Sequence, residues 1–262
     1  MSNVLEVETI GRLRVLRLNR PERKNALTGE LIQALTAGLR AATADDDVWA
    51  IAITGNGDAF CSGLDLDQSG GDDDDGPSDD DAERDGVHNL SSIMRVECDK
   101  PILAGVNGVA VGLGLSLAMN ADIRIAAPSA RFHPGYARVA TSPDGGLTWT
   151  LTRAVGYERA LRFLLEQRMV AAPEALALGL VSEIAEGDFA ARIIEYGTLL
   201  ASVAPRAARQ TKRLLVSVEE PADLATHLAD EIRLALHGLA SDDSAEAIRA
   251  MMAKEPPEFT GR

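Results

Sequence analysis

Short apolar runs that stop at glycine or proline, each followed by a helix-like stretch, constrain this chain more than anything else in it. "RLRVLRLNRP" sets Leu13, Val15 and Leu18 in a strand-like run ending at Pro21. "LTGELIQALTAGLRAAT" then predicts a helix, with Thr28 as its cap, Glu30 in its first turn and Leu31, Ile32, Leu35 and Leu39 on one face. "VWAIAITG" reads as a buried strand stopped by Gly55, and "KPILAGVNG" as another stopped by Gly108. "VGLGLSLAMNAD" reads as a helix opening on glycines, and "DIRIAA" as a further strand. Strands that alternate with helices pair in parallel, because a parallel neighbour needs a crossover. Beyond residue 147 the pattern turns helical, over 147–154, 157–166, 173–178, 188–203, 205–217, 222–240 and 242–253, with one strand expected at 179–184.

With 262 residues, the chain can bury one large core or a core with an appendage. No apolar run approaches the roughly 20 residues that span a bilayer. The N-terminal stretch does not read as an export signal, and Cys61 and Cys98 lack metal-ligand spacing. The expectation is a cytoplasmic protein with two reduced thiols. The net charge is −14, of which −8 falls in residues 72–85, "DDDDGPSDDDAERD". An acidic surface argues against nucleic acid or an anionic membrane as partner. The block lacks the spacing of an EF-hand and reads as a solvated loop.

Three segments end a strand on glycine-rich backbone: "GDAFCSGLDL" (57–66), "NGVAVGLGLSLAM" (107–119) and "TSPDGGLTW" (141–149). Glycine lets the backbone approach a ligand closely, and a helix N-terminus leaves amides unpaired. Amides of the first two segments can converge on one developing oxyanion. The spacing of Gly108, Gly112 and Gly114 is not that of a dinucleotide fingerprint, no phosphate-binding G-x-x-x-x-G-K-[ST] occurs, and no G-x-S-x-G elbow is present. Asp144 is the one carboxylate of the third segment, and reads either as a reagent or as the cap of the helix at 147–154.

In this order and at these separations, the segments resemble the crotonase superfamily, the enoyl-CoA hydratase/isomerase family. The resemblance runs through "LNRPERKNALTGEL" (18–31), "AIAITGNGDAFCSGLDL" (50–66), "KPILAGVNGVAVGLGLSLAMNADIRIAAPSARF" (100–132), "SPDGGLTWTLTRAVGYERA" (142–160) and "AAPEALALGLVSEI" (171–184). It implies an α/β fold, a ββα superhelix over 1–195, with a helical oligomerisation region over 196–262. It also implies a homotrimer, or a hexamer of two trimers, acting on acyl-CoA thioesters. No cofactor is implied, since coenzyme A belongs to the substrate.

By the same resemblance, the N–H groups of Leu64 and Leu113 hold the thioester oxygen, with Gly63 and Gly112 permitting the turns. Leu113 stands where glycine is frequent. The segment of Arg23, Lys24 and Ala26 lies along the CoA, with Arg23 and Lys24 as candidates for its phosphates. Ser62 to Leu66 line adenine and pantetheine, with Asp65 supporting the loop. The hydratases' two glutamates fall on Ser116 and Tyr136, neither of which is a carboxylate, so ordinary hydration is not expected. Tyr136 is left as pocket wall or acyl partner. "PDGGLTWTLTR" resembles the phenylacetate-pathway isomerases, and related dehalogenases carry a nucleophilic aspartate here, so Asp144 is expected to be the reagent. His88 and His133 are weaker candidates, expected to be structural. Lys212 and Arg213 are expected to face solvent.

Overall fold

A computed structural model describes residues 4–65, 87–139, 141–217 and 241–261. Two parallel-dominated sheets form its centre, and the chain alternates between them. The larger has six strands: β1 (Leu5–Ile10), β2 (Leu13–Leu18), β3 (Ala50–Gly55), β5 (Ile102–Val106), β7 (Ile123–Ala126) and β10 (Glu183–Ile184), in that spatial order. The smaller has four: β4 (Ala59–Cys61), β6 (Val109–Val111), β8 (Arg131–His133) and β9 (Val170–Ala171). Strands β3, β5 and β7 each run into a short partner, β4, β6 and β8, that crosses to the second sheet. Each circuit therefore adds one rung to both sheets, which is the ββα spiral. β1–β2 and β8–β9 are antiparallel; the other pairs are parallel.

Both faces of the larger sheet are buried, as parallel sheets require. Leu16, Leu18, Ile51, Ile53, Ile102 and Ala104 join one apolar cluster with helix α1 (Gly29–Ala44). The intervening Leu13, Val15, Ala50, Ala52 and Leu103 join a second with helix α7 (Phe189–Leu200). The period of two along each strand produces this division. α1 starts as expected: Thr28 Oγ1 accepts from Leu31 N at 3.2 Å, and Leu31, Ile32, Leu35 and Leu39 are buried.

The other described helices are α2 (Val87–Ser92, continued by a wider turn over Ile93–Glu97), α3 (Leu113–Asn120), α4 (Leu147–Val155), α5 (Tyr157–Glu166), α6 (Ala172–Leu178), α8 (Pro205–Ser217) and α9 (Asp242–Ala253). The expected helix at 222–240 and the acidic block at 72–85 lie outside the described residues. The expected strand at 179–184 is shorter. Gly179, at φ 86°, closes α6 in the left-handed region, and pairing begins only at Glu183. The expected boundary at 195/196 falls inside α7, whose Ile193 packs against Gly105 of β5.

Lys212 departs from the expectation of a solvent-facing side chain. It is buried, not solvated: its Nζ donates to the carbonyls of Met94 and Lys100 and pairs with Asp122 at 2.8 Å. Arg209 and Arg213 both pair with Asp99. These contacts bind α8 to the core beside α2. Among the described residues no helix is long and apolar enough to cross a membrane, and no cluster of three metal-ligating side chains occurs. Both cysteines are buried and unbridged.

Candidate active site

The loop after β4 pairs with the segment before α1. Leu27 N donates to Gly63 O at 2.8 Å, and Asp65 N to Leu27 O at 2.9 Å. Parallel pairing uses the groups on either side of Leu64, so the N–H of Leu64 itself faces away from that segment. Gly63 sits at φ +97°, and a Cβ there would lie 2.9 Å from Val111 O and 3.6 Å from Leu113 N. The Leu64 turn and the Leu113 amide are thus neighbours. Gly112, at φ +53°, opens α3 without a side-chain cap. The Leu113 N–H heads the helix and has no acceptor among the described residues. Gly114 seals this arrangement, since a Cβ there would lie 2.2 Å from Cys61 O.

Asp65 is buried and takes two arginines, Arg20 at 2.9 Å and Arg23 at 3.2 Å. The Arg20 hydrogen bond, then Arg23, hold its carboxyl below the usual range against the opposing effect of burial. These two ion pairs tie the loop after β4 to the segment before α1. Arg20 also donates to the carbonyl of Ala26, which is buried. Lys24 reaches Asp58 with Nζ 2.6 Å from both oxygens, and Ser62 N donates to Lys24 O at 3.0 Å. The candidates for CoA phosphates therefore already hold carboxylates, with roughly half of the Arg23 and Lys24 side chains exposed. Leu66 lies outside the described residues.

Asp144 is exposed, and its side chain does not cap α4, whose N-cap is Gly146. Instead Tyr136 Oη donates to Asp144 Oδ1 at 2.6 Å, and Ser116 Oγ lies 2.7 Å from Tyr136 Oη. The two positions that lack the hydratase glutamates thus form one chain with the carboxylate: Ser116, Tyr136, Asp144. Sequence reading missed this contact, because nothing in the spacing joins positions 116 and 136. Burial, then the hydrogen bond to Asp144, push the Tyr136 phenol well above its ordinary pKa, so it stays a donor.

An apolar recess beside Gly145 is lined by Leu27, Leu90, Met94, Leu113 and Leu117, with Ser91, Ser116 and Asn120 at its polar edge. Its free volume is about 10 Å³, near the size of one water. His133 takes no part: buried, its Nε2 lies 2.9 Å from the Gln167 carbonyl oxygen. The side chain of His88 lies outside the described residues.

Residues 8–262 match the family model described as enoyl-CoA hydratase/isomerase. The chain belongs to this family. A "Probable enoyl-CoA hydratase" of Rhodobacter capsulatus is 36% identical over 262 residues, 95% of each chain. The 1,2-epoxyphenylacetyl-CoA isomerase of Escherichia coli is 32% identical, covering 94% of each. Among solved structures, an enoyl-CoA hydratase from Polaromonas sp. JS666 superposes with a TM-score of 0.89 at 30% identity, over 98% of this chain and 99% of that one. The enoyl-CoA hydratase/isomerase family is the crotonase superfamily, and this member has its fold and processes acyl-CoA thioesters.

Proposed function

We propose that this family member is an isomerase, which moves a double bond along an acyl-CoA by proton transfer through Asp144. The amides of Leu64 and Leu113 donate to the thioester oxygen. Asp144 removes a proton from the carbon beside the carbonyl, and the C–H electron pair moves into a dienolate whose charge rests on that oxygen. The same carboxyl returns the proton two carbons further along, leaving the double bond conjugated with the thioester. Each amide donor supports such an oxyanion by a factor of about 10²–10³. Lys24 can exchange the exposed Asp58 for a CoA phosphate at little cost, since exposed ion pairs are weak and screened. Arg23, Ala26, Ser62 and Gly63 line the same approach. No cofactor enters this scheme.

The observation that carries the reading is the state of Asp144. One oxygen is held by Tyr136, the other has no partner among the described residues, and neither is spent on a helix cap. A hydratase must also position water, yet Ser116 and Tyr136 are committed to each other and to Asp144.

The test is Asp144→Asn against a panel of 3-enoyl-CoAs. Turnover should fall by about 10²–10⁴, the range for a lost general base, with acyl-CoA affinity retained. Full activity in that variant would remove the proposal. An acyl-aspartate caught by mass spectrometry would make Asp144 a nucleophile, as in a dehalogenase or thioester hydrolase. Incorporation of ¹⁸O from water into a 3-hydroxyacyl product would make the enzyme a hydratase. Binding without turnover across the panel would leave an acyl-CoA-binding protein. The exposed Tyr157, Leu161 and Leu165 of α5 suit a subunit contact, and we infer a trimer or a pair of trimers, to be measured by sedimentation.

A further inference from the structure

We infer that Asn120 is a positioning residue for Asp144, setting the carboxylate against the oxyanion amide through a single helix. The inference rests on the proton-transfer reading above. Asn120 is buried at the last turn of α3, and its Nδ2 donates to Gly145 O at 2.7 Å and to Ser116 O at 2.8 Å. Ser91 Oγ donates to the same Gly145 carbonyl at 2.8 Å. One turn earlier on α3, Ser116 Oγ lies 3.1 Å from Asp144 O. Two consecutive carbonyls thus face side chains four residues apart on one helix face: Gly145 O accepts from Asn120, and Asp144 O lies against Ser116 Oγ.

Three oxygens surround the amide nitrogen of Asn120: Gly145 O, Ser116 O and Ser91 Oγ. Only a donor satisfies that site, so the orientation of the amide is fixed and an aspartate would oppose two carbonyls. Gly145 has φ +57°, and the space where its Cβ would stand is closed by Leu113 Cδ1 at 2.9 Å and Ser116 Cβ at 3.1 Å. The loop therefore lies directly on α3 and has little room to shift. The head of α3 presents the Leu113 N–H, and its tail holds the peptide beside Asp144. The separation between the proposed oxyanion donor and the proposed base becomes the length of one rigid element. A displacement of about 1 Å in such a pair can cost about a hundredfold in rate.

The experiment follows but-3-enoyl-CoA in D₂O, reading kcat, KM and the ratio of solvent deuterium incorporated to proton returned intramolecularly. Butyryl-CoA affinity reports on binding. Asn120→Ala should lower kcat by about tenfold or more, a fraction of the hundredfold available from orientation, with KM and butyryl-CoA affinity within about threefold. A misplaced base holds its proton longer before return, so deuterium incorporation should rise. Unchanged kcat in a folded variant would overturn the inference, as would a loss of kcat with the deuterium ratio unchanged. Should Asn120→Ala not fold, Ser91→Ala removes the second donor to Gly145 and should show the same rise at smaller amplitude; no rise there also overturns it. Retained turnover in Asp144→Asn would instead bring down the parent reading, whatever Asn120 does.

Discussion

Tyr136 Oη stands 2.6 Å from Asp144 Oδ1 and 2.7 Å from Ser116 Oγ, so one phenol joins the helix that begins at Leu113 to the loop that carries the carboxylate. Burial and the nearby carboxylate both favour the protonated phenol. A group whose folded pKa is raised contributes stability that is complete below its unfolded pKa, near 10 for tyrosine, and is lost as pH climbs past that value. The wild type should therefore lose stability above about pH 10 more steeply than Tyr136→Phe. Thermal unfolding of both proteins from neutral pH upward measures this, and parallel curves would show that the phenol is not held as described.

Asp65 gives the opposite sign. Its carboxyl is depressed by Arg20 and then Arg23. The stability it contributes is present above the unfolded carboxylate pKa, about 3.9, and fades as pH falls through the lower folded value. Asp65→Asn should lower the melting temperature at pH 7 and flatten the loss below about pH 4. Acyl-CoA affinity should fall with it, since the loop bearing Leu64 loses its anchor. Titration of melting temperature and calorimetry with butyryl-CoA read the two effects separately.

Lys212 is predicted to matter through packing and charge together. Replacing it by methionine keeps most of the apolar stem but takes the donor from the carbonyls of Met94 and Lys100 and one cation from Asp122, which retains Arg95 at 3.4 Å and the Ile102 amide at 2.8 Å. Breaking a buried pair from one side costs about 3–5 kcal/mol, whereas removing both charges costs less. Urea unfolding of Lys212→Met should show a loss in that range, with part recovered in the double variant Lys212→Met/Asp122→Asn. Equal losses in both would argue that α8 is held elsewhere.

These cases mark where the sequence is legible. Thr28 and the Leu31–Leu39 face are local signals, and the structure returns them unchanged. β2, β3, β5 and β7 are long enough, four to six residues, for apolar runs to stand out. β4, β6 and β8 have three residues each, less than two periods of alternation, so the second sheet has no periodic signature. Lys212 reads as a surface lysine on an amphipathic helix, because its partners lie about a hundred residues away. The site shows the same limit. Asp144 is marked by the segment around it, while the Tyr136–Ser116 contact and the Asn120–Gly145 clamp depend on how α3 meets a distant loop.

Gly114→Ala tests the seam between α3 and β4. The helical backbone itself tolerates alanine, but the added Cβ would lie 2.2 Å from Cys61 O and 2.8 Å from Cys61 Cβ. Both are parts of a buried strand that cannot swing aside. α3 must lift, moving the Leu113 amide away from the Leu64 turn. The expected cost is about 1–3 kcal/mol of stability or more, with turnover falling further than stability does. Gly29→Ala is the control: nothing lies within 4 Å of its Cβ and its φ is ordinary, so a gain of about 0.4–1 kcal/mol is expected. Denaturant melts and turnover on one 3-enoyl-CoA settle both.

Leu113 supplies the last prediction, through its side chain rather than its amide. The side chain is buried, lines the recess with Leu27, Leu90, Met94 and Leu117, and presses Cδ1 against the Gly145 position. The free space of the recess is about 10 Å³, close to one water, so an acyl chain entering it under the proposed function would have to displace these side chains. The amide proposed to hold the thioester oxygen and a side chain that lines the recess belong to one residue, so the proposed function places a limit on acyl length close to the carbonyl. Leu113→Ala keeps the N–H and removes three carbons. It should raise kcat/KM for six- and eight-carbon acyl-CoAs relative to four-carbon ones by about tenfold, the discrimination that one to two methylenes provide in an apolar pocket. Steady-state kinetics over a chain-length series measures it. A profile that keeps the wild-type preference would move the length limit to another wall of the pocket.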